Sequence, residues 1–431
     1  MKIDVILGLQ WGDEGKGKIV DVLAPRYDIV ARFQGGPNAG HTIEFNHKKF
    51  VLHTIPSGIF YEKNINLIGN GVIIDPFILR KELEALGAEG IDVAARLLVS
   101  RRAHLILPTH RVLDAYHEMV RGATRIGSTL KGIGPCYTDK TGRNGLRVGD
   151  LKHSSFPERY RLLRTTHLQS IDSSRFQVAD LKIEGLNFAH YEEKWLEAVE
   201  LLAGMNHVDS EYFLNESLAK GMKVLAEGAQ GTMLDIDFGS YPYVTSSSTM
   251  TGGACTGLGV PPSAIGKVYG VFKAYCTRVG SGPFPTEDMG ENGELMRKGG
   301  NEFGSTTGRP RRCGWLDLPA LKYAAMINGV NSLVMMKTDV LNDFREISVC
   351  TSYLAQGRET AQVPFDYLSG GIEPVYKTFP GWMQSLESLT EDHLPPALAA
   401  YIDFIEKATG LPINAVSHGP DRKQIMIRIE N

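Results

Sequence analysis

Short apolar runs recur along the chain, each ending in glycine or a polar cluster, and stretches with helical spacing separate them. The runs "DVILGL" (4 to 9), "INLIGNGVII" (65 to 74), "KVLAEG" (223 to 228), "KVYGVFKAY" (267 to 275) and "SLVMMKTDV" (332 to 340) are nearly continuous in apolar residues. Strands buried on both faces read this way, whereas a half-exposed strand alternates. A further short run, "DIVARF", ends at Phe33. Asp75 and Pro76 supply an N-cap and a first-turn proline to a helix whose Leu79, Leu83 and Leu86 share a face and which Gly87 stops. In "YEEKWLEAVELLAGM" (191 to 205), Trp195, Val199 and Leu202 stand four and three apart, the spacing of a packed helix. Strands alternating with helices predict an α/β fold. Residues from about 100 to 205 are charge-rich and mostly helical in pattern, so a mainly helical subdomain is expected between strands. No linker marks a clean boundary, and 1–431 reads as a single large domain.

Composition narrows the partners. The chain has 431 residues, 42% of them hydrophobic, and no apolar run long enough to span a bilayer. With 46 basic and 49 acidic residues the formal charge is −3, which gives no overall reason to expect nucleic acid or membrane as a partner. Any basic site must be local. Five scattered cysteines without metal spacing read as free thiols in a reducing compartment, and the N-terminus enters a strand pattern with no signal-peptide signature. The cytoplasm is the expected location.

Candidate chemistry lies in the glycine-rich loops. The segment "GLQWGDEGKGKIVD" (8 to 21) follows a strand and precedes a helix-like stretch, the context of a phosphate-binding loop. Its glycines let backbone N–H groups meet phosphate oxygens, and Lys16 and Lys18 add charge. The usual hydroxyl after the lysine is replaced by Ile19, so a metal would be held otherwise, and Asp13 is the natural oxygen ligand. The alternative is a plain glycine-rich turn with solvated charges. A second loop, "FQGGPNAGHT" (33 to 42), offers Gln34, Asn38 and His41; His41 suits proton donation to phosphate, or is a surface histidine in a turn. Lys337-Thr338-Asp339 resembles the lysine-x-aspartate element that selects guanine, with a strand-end salt bridge as the other reading. The loop at 299 to 317 carries Thr306, Thr307, Arg309, Arg311 and Arg312, and the one at 125 to 150 carries Ser128, Thr129, Lys131, Arg143 and Arg147. Both favour clamped small anions over a merely solvated patch. The segment 225 to 249 presents Glu227, Gln230, Asp235 and Asp237, then a hydroxyl run from Thr245 to Thr249, which suits a polar base or a phosphate as well as a surface loop.

Taken in order, "QWGDEGKGK", "GGPNAGHT", "GIGP", "EGAQGTMLDID", "YPYVTSS", "RVGSGPFPTE", "NEFGSTTGRPRR", "GWLD", "KTDV" and "HGPDR" resemble the adenylosuccinate synthetase family over residues 8 to about 422. The resemblance implies a large, mostly parallel central sheet flanked by helices, with P-loop-like GTP-binding elements. It implies a cytoplasmic homodimer that joins IMP and L-aspartate with GTP as co-substrate and one Mg²⁺ per subunit. By the same resemblance Asp13, His41 and Gln230 are catalytic: Asp13 takes the N1 proton of IMP, His41 hydrogen-bonds at the transferring phosphoryl group, and Gln230 positions the base. IMP would meet Asp13, Glu14, Lys16, Asn38, Thr129, Gln230, Thr245 and Arg309, with Arg143 reaching in from the other subunit. GTP would meet Gly12, Asp13, Glu14, Gly15, Lys16, Gly17 and Lys18, then Gly40, His41, Thr42 and Arg311. Lys337, Thr338, Asp339, Ser417, His418 and Gly419 would enclose guanine. Ser305, Thr306, Thr307, Arg309 and Arg311 would hold aspartate, and Asp13 with the Gly40 carbonyl would hold the metal. Two positions depart from the family pattern: Pro310 interrupts the arginine run, where it is expected to stiffen the aspartate loop, and His418 stands where a smaller residue is common. Both bear on affinity rather than on reaction type.

Overall fold

A computed structural model describes residues 1–304, 308–365, 371–387, 389–390 and 393–428. Among these, ten strands form the central sheet: β1 (Ile3–Gly8), β2 (Ile29–Arg32), β3 (Ile65–Ile68), β4 (Leu97–Ser100), β5 (His207–Val208), β6 (Val224–Glu227), β7 (Ile265–Lys273), β8 (Ser332–Met336), β9 (Ile413–Ser417) and β10 (Ile425–Ile427). Their spatial order is β5-β4-β3-β2-β6-β1-β7-β8-β9-β10, and every pairing is parallel except that of β9 with β10. The apolar runs account for this: β2, β6 and β8 are buried at every position, as strands covered on both faces must be.

Helix α1 (Lys16–Leu23) carries the chain from β1 to β2 on one side, whereas β7, β8 and β9 lie on the other. The order therefore reverses at β1. In open parallel sheets the crevice beyond the carboxyl ends of the strands at such a reversal is where ligands sit, and the glycine-rich loops emerge there.

Helix α2 (Pro76–Ala88) begins at Asp75, whose side chain accepts from Phe77 N at 3.1 Å. It runs one residue beyond Gly87. Between β4 and β5 lie α3 (Pro108–Arg121), α4 (Ile133–Gly142), α5 (Phe156–Gln169) and α6 (Phe188–Ala203). Asp75 also accepts from Arg111 on α3 at 3.1 Å and from Tyr191 on α6 at 2.6 Å, so one buried carboxylate pins three helices. Trp195, Val199 and Leu202 are buried as their spacing predicts.

Two strands differ from their sequence reading. The run 65 to 74 is two strands, because Gly69 and Gly71 turn the chain against the backbone of the second glycine-rich loop; a methyl at Gly71 would lie 2.1 Å from Phe33 O. The run 332 to 340 leaves the sheet at Met336, since Lys337 adopts a left-handed conformation (φ 59°) and starts a 3₁₀ turn. Strands Glu346–Ala355, Arg358–Thr360 and Ile372–Pro380 pair antiparallel in a small sheet that the apolar pattern did not announce, and Leu316–Asp317 joins it in parallel.

Candidate active site

The phosphate-type loop closes around Glu14. This side chain is fully buried and accepts from Gln10 N at 3.1 Å and Gly12 N at 3.0 Å, and it pairs with Lys16 Nζ. The acid in the loop thus satisfies the loop's own donors and balances its first lysine. Glu14, expected at IMP and GTP, has its carboxylate engaged within the loop itself. Lys16 is likewise buried at 3% exposure, its ammonium committed to Glu14. Lys18 is also engaged within the chain: its Nζ donates to Ser417 Oγ (2.9 Å), Gly419 O (2.8 Å) and Gln424 O (2.9 Å). Burial pushes its pKa down to about 8. Ile19 belongs to the core under α1 with Val20 and Leu23, which is why no hydroxyl occupies that position. Asp13, left-handed at φ 58°, remains partly exposed and receives Arg311 Nε at 2.7 Å.

The second loop leaves β2 and enters a hairpin, His41–Phe45 with Lys48–Leu52. Gly40 and Thr42, on either side of His41, are half-buried. His41 is buried, and its Nδ1 pairs with Glu227 at the end of β6. Glu227 also accepts from Ser57 N at 2.8 Å and Ser57 Oγ at 2.7 Å, so its orientation is set before any ligand arrives. Burial, aided by the positive charge of Arg32, lowers the pKa of His41 against the pull of Glu227. With Nδ1–H on Glu227, the other ring nitrogen, Nε2, is buried without a partner. The phosphate loop packs directly on this histidine: a methyl at Gly17 would lie 2.8 Å from His41 Cβ. On the loop's other side, Gly12 (φ 85°) leaves room for Gln230, whose Cα is 3.6 Å from where its Cβ would stand. Gln230 itself is left-handed (φ 56°), and both polar atoms of its amide are buried and unpartnered, as is Asn38 Oδ1. Gln34 differs, since its amide is used on Ala229 O and Ser247 Oγ.

At the end of β8, Lys337 turns its ammonium away from Asp339, to Gly300 O and Glu302 Oε1, both at 2.7 Å. The alternative reading, a strand-end salt bridge to a neighbouring arginine, finds no such partner for Asp339 among the described residues, and the ion pair seen is that of Lys337 with Glu302. Asp339 keeps Oδ1 buried and unpartnered, and burial raises its pKa. Thr338 Oγ1 donates to Ser417 O at 2.9 Å, which brings 417–419 beside Asp339; His418 is buried there with Nδ1 unpartnered, and Gly419 is half-buried.

The anion loops are less assembled. Arg311 is buried between Asp13 and Glu302, with Nη1 2.5 Å from Glu302 Oε2. Arg309 and Pro310 are exposed, and Arg143 is exposed where it ends α4 in a left-handed conformation (φ 65°). Thr129 and Thr245 are half-buried. The loop before Thr129 is held by Glu118, which accepts from Ile126 N (3.1 Å), Gly127 N (2.8 Å) and Ser128 N (3.0 Å). Ser305, Thr306 and Thr307 lie outside the described residues. Sequence reasoning named Glu227 only as a polar group of its loop, not as the partner of His41, and did not single out Glu118 or Glu302. Glu227 and Glu302 sit inside quoted motifs, but nothing in a motif says which acid turns inward.

A separate trio, His110, Asp139 and His167, brings its ligand-type atoms within 4.8 Å of one another. His110 Nδ1 accepts from Leu107 N at 2.9 Å, so its proton resides on Nε2 and goes to Asp139. Both imidazoles donate to that carboxylate, and the trio satisfies itself without an ion.

The sequence and fold find close relatives. A family model described as adenylosuccinate synthetase matches residues 5–426. The chain belongs to the adenylosuccinate synthetase family. It is 56% identical over 428 residues to the adenylosuccinate synthetase of Porphyromonas gingivalis, covering 99% of each chain. It is also 56% identical over 429 residues to that of Flavobacterium psychrophilum, covering 99% of this chain and 100% of the relative. Among solved structures, fully ligated adenylosuccinate synthetase from Plasmodium falciparum superposes with a TM-score of 0.89 at 40% identity, with 100% of both chains covered. Succinoaminodeoxyadenylate synthetase of cyanophage S-2L, at 19% identity and a TM-score of 0.64 over 100% of this chain and 96% of that one, shares the fold.

Proposed function

We propose that this site joins L-aspartate to IMP at the expense of GTP, giving adenylosuccinate, GDP and phosphate, the first committed step of AMP synthesis. The observation that carries the residue-level reading is the placement of unsatisfied polarity. Asn38 Oδ1, His41 Nε2, both amide atoms of Gln230, Asp339 Oδ1 and His418 Nδ1 are buried without partners, and all of them line the loops at the strand ends. An unpaired buried polar atom costs about 1–3 kcal/mol, which a ligand of matching polarity recovers.

In this reading the carboxylate of Asp13 takes the N1 proton of IMP. O6 then attacks the γ-phosphorus of GTP, the bond to the β,γ-bridging oxygen breaks, and GDP leaves. The amine of aspartate adds at C6 of the 6-phosphoryl-IMP so formed, the C6–O bond breaks, and phosphate departs. His41 is neutral in the empty site, and an arriving polyanion favours its charged form, with Nε2–H donated to the phosphoryl oxygens and Nδ1–H kept on Glu227. Gln230 meets the base of IMP with donor and acceptor together, and Asp339 accepts from the guanine N1–H and 2-amino group. Asn38, Thr129, Thr245 and Arg309 hold IMP, and the loop at 305 to 311 holds aspartate.

Mg²⁺ fits the oxygen donors present, since Asp13 is the one acid of the phosphate loop left partly exposed, and Gly40 in the second loop is half-buried. Asp13 and the Gly40 carbonyl would hold it, and when bound it supplies charge neutralisation for phosphoryl transfer. The reading extends to a cytoplasmic homodimer in which Arg143 serves the partner's IMP site, supported by its exposure at the end of α4. Among the described residues no helix is long and apolar enough to cross a membrane.

The test is phosphate release with GTP or ATP, each with and without IMP and aspartate. Release that requires GTP, IMP and aspartate together is expected. GTP hydrolysis indifferent to the other two substrates would overturn the reading.

A further inference from the structure

Behind the site lies a charge cluster centred on Glu302. This carboxylate is fully buried, and its Oε1 accepts from Lys273 Nζ (2.8 Å), Tyr275 OH (2.5 Å) and Lys337 Nζ (2.7 Å). Its Oε2 accepts from Arg311 Nη1 at 2.5 Å. Its backbone carbonyl also accepts from Arg311 N at 2.9 Å, so main chain and side chain grip the same arginine. Arg311 spans from Glu302 to Asp13, and Lys337 stands two residues before Asp339. One buried acid thus holds a cation from the guanine side and a cation from the side of aspartate and the phosphate loop.

Three cations, Lys273, Lys337 and Arg311, share this one acid, with Asp13 on the far side of Arg311 and Asp339 within electrostatic reach of Lys337. Lys273 is fully buried and Arg311 nearly so, whereas Lys337 is partly exposed. Arg311 is the cation that also touches the phosphate loop, through Asp13. An anion drawn to Arg311 competes with Asp13 and Glu302 for the guanidinium, and Glu302 shares its carboxylate between Arg311 and Lys337. Two sites sharing one acceptor are energetically coupled, and coupling of this kind is reciprocal.

We propose that Glu302 is a positioning residue that couples occupancy of the aspartate site to recognition of guanine, acting through Arg311 on one side and Lys337 on the other. The inference rests on the ligase reading above for the identity of the two ligands. Its distinguishing mark is selectivity: aspartate and guanine nucleotide are affected together and IMP least, since of the described residues assigned to IMP only Asp13 touches a side chain held by Glu302, through Arg311.

The experiment compares the full-length enzyme with Glu302→Gln, which keeps the shape and removes the charge. The expected result is a rise of about tenfold in the KM for aspartate and in the Kd for GDP, with the KM for IMP changed less than about twofold. In the unmodified enzyme saturating aspartate tightens GDP binding in the presence of IMP, and in the variant that effect disappears. Tyr275→Phe removes one hydrogen bond to Glu302 without changing charge, and should shift the same two constants in the same direction by about twofold to threefold. It carries the test if Glu302→Gln does not fold. Unchanged aspartate and GDP constants in a folded variant would overturn the proposal, as would equal weakening of all three ligands in step with a lowered Tm. Substrate-dependent phosphate release by the unmodified enzyme checks the ligase reading separately, so failure of one is distinguishable from failure of the other.

Discussion

Glu227 holds Nδ1 of His41 at the point where β6 ends, and is itself held by both donors of Ser57. The histidine therefore has one orientation and one tautomer before substrate arrives. Replacing Glu227 with Gln lets the amide donate to the ring as readily as accept from it, which scrambles that tautomer. The expected outcome is a fall of about 100-fold in kcat with the KM values little changed. Steady-state kinetics on a variant of normal Tm checks this, and an unaltered kcat would show that Glu227 only fills space.

Asp339 has a buried carboxylate oxygen and no arginine partner among the described residues. Guanine supplies the two donors such an acceptor lacks. Asp339→Asn should lower kcat/KM for GTP by about 100-fold, because an amide places a donor against a donor. A nucleotide whose base carries an oxygen in place of the 2-amino group should recover part of the loss. Equal activity of the variant with GTP would remove Asp339 from base recognition.

Glu82 on α2 is buried and accepts from the backbone of His53 (2.9 Å), Thr54 (3.0 Å) and Ile55 (3.1 Å), just after the hairpin that carries His41. Burial raises its pKa from 4.5 to about 7 in spite of those donors. The folded chain therefore binds this proton more tightly than the unfolded chain does. The stability cost of the charged form is absent below pH 4.5, grows as pH rises to about 7, and is constant above that. Glu82→Gln lacks this dependence. Melting curves should show the Tm of the unmodified protein falling relative to the variant between these two pH values, and parallel profiles would contradict the assignment.

Arg143, exposed at the end of α4, is expected to complete the site of a second copy. Arg143→Leu and Asp13→Ala chains should each be nearly inactive, with Asp13→Ala down by at least about 1000-fold and still folded by circular dichroism. Mixing them forms heterodimers with one intact site, so part of the activity should return. Verified heterodimers that stay inactive would place Arg143 in its own subunit's site.

Much of the site was legible because its spacing is local. The strand, the glycines and the lysines of the phosphate loop are contiguous, and so are the residues around His41 and Asp339. The direction of each charge was not legible. Lys16 and Lys18 read as phosphate ligands, and the pattern did not announce that one pairs with Glu14 and the other reaches the loop after β9. Glu302 gathers partners from positions 273, 275, 311 and 337, and no local pattern encodes a meeting of that kind. The fold followed a similar division. Continuous apolar runs announced the parallel strands, whereas the strand Ile372–Pro380, mostly exposed along its length, lacks the apolar alternation that would reveal it. The split of 65 to 74 depended on Gly71 meeting the backbone of Phe33, a contact between segments far apart in sequence.

The hydrogen bonds from Lys18 to the 417–424 loop, and that of Arg422 with Asp21 at 2.7 Å, join the first helix to the last strands across about four hundred positions. One wall of the candidate nucleotide pocket is thus built from segments remote in sequence, and it exists only where α1 and the 417–424 loop have met.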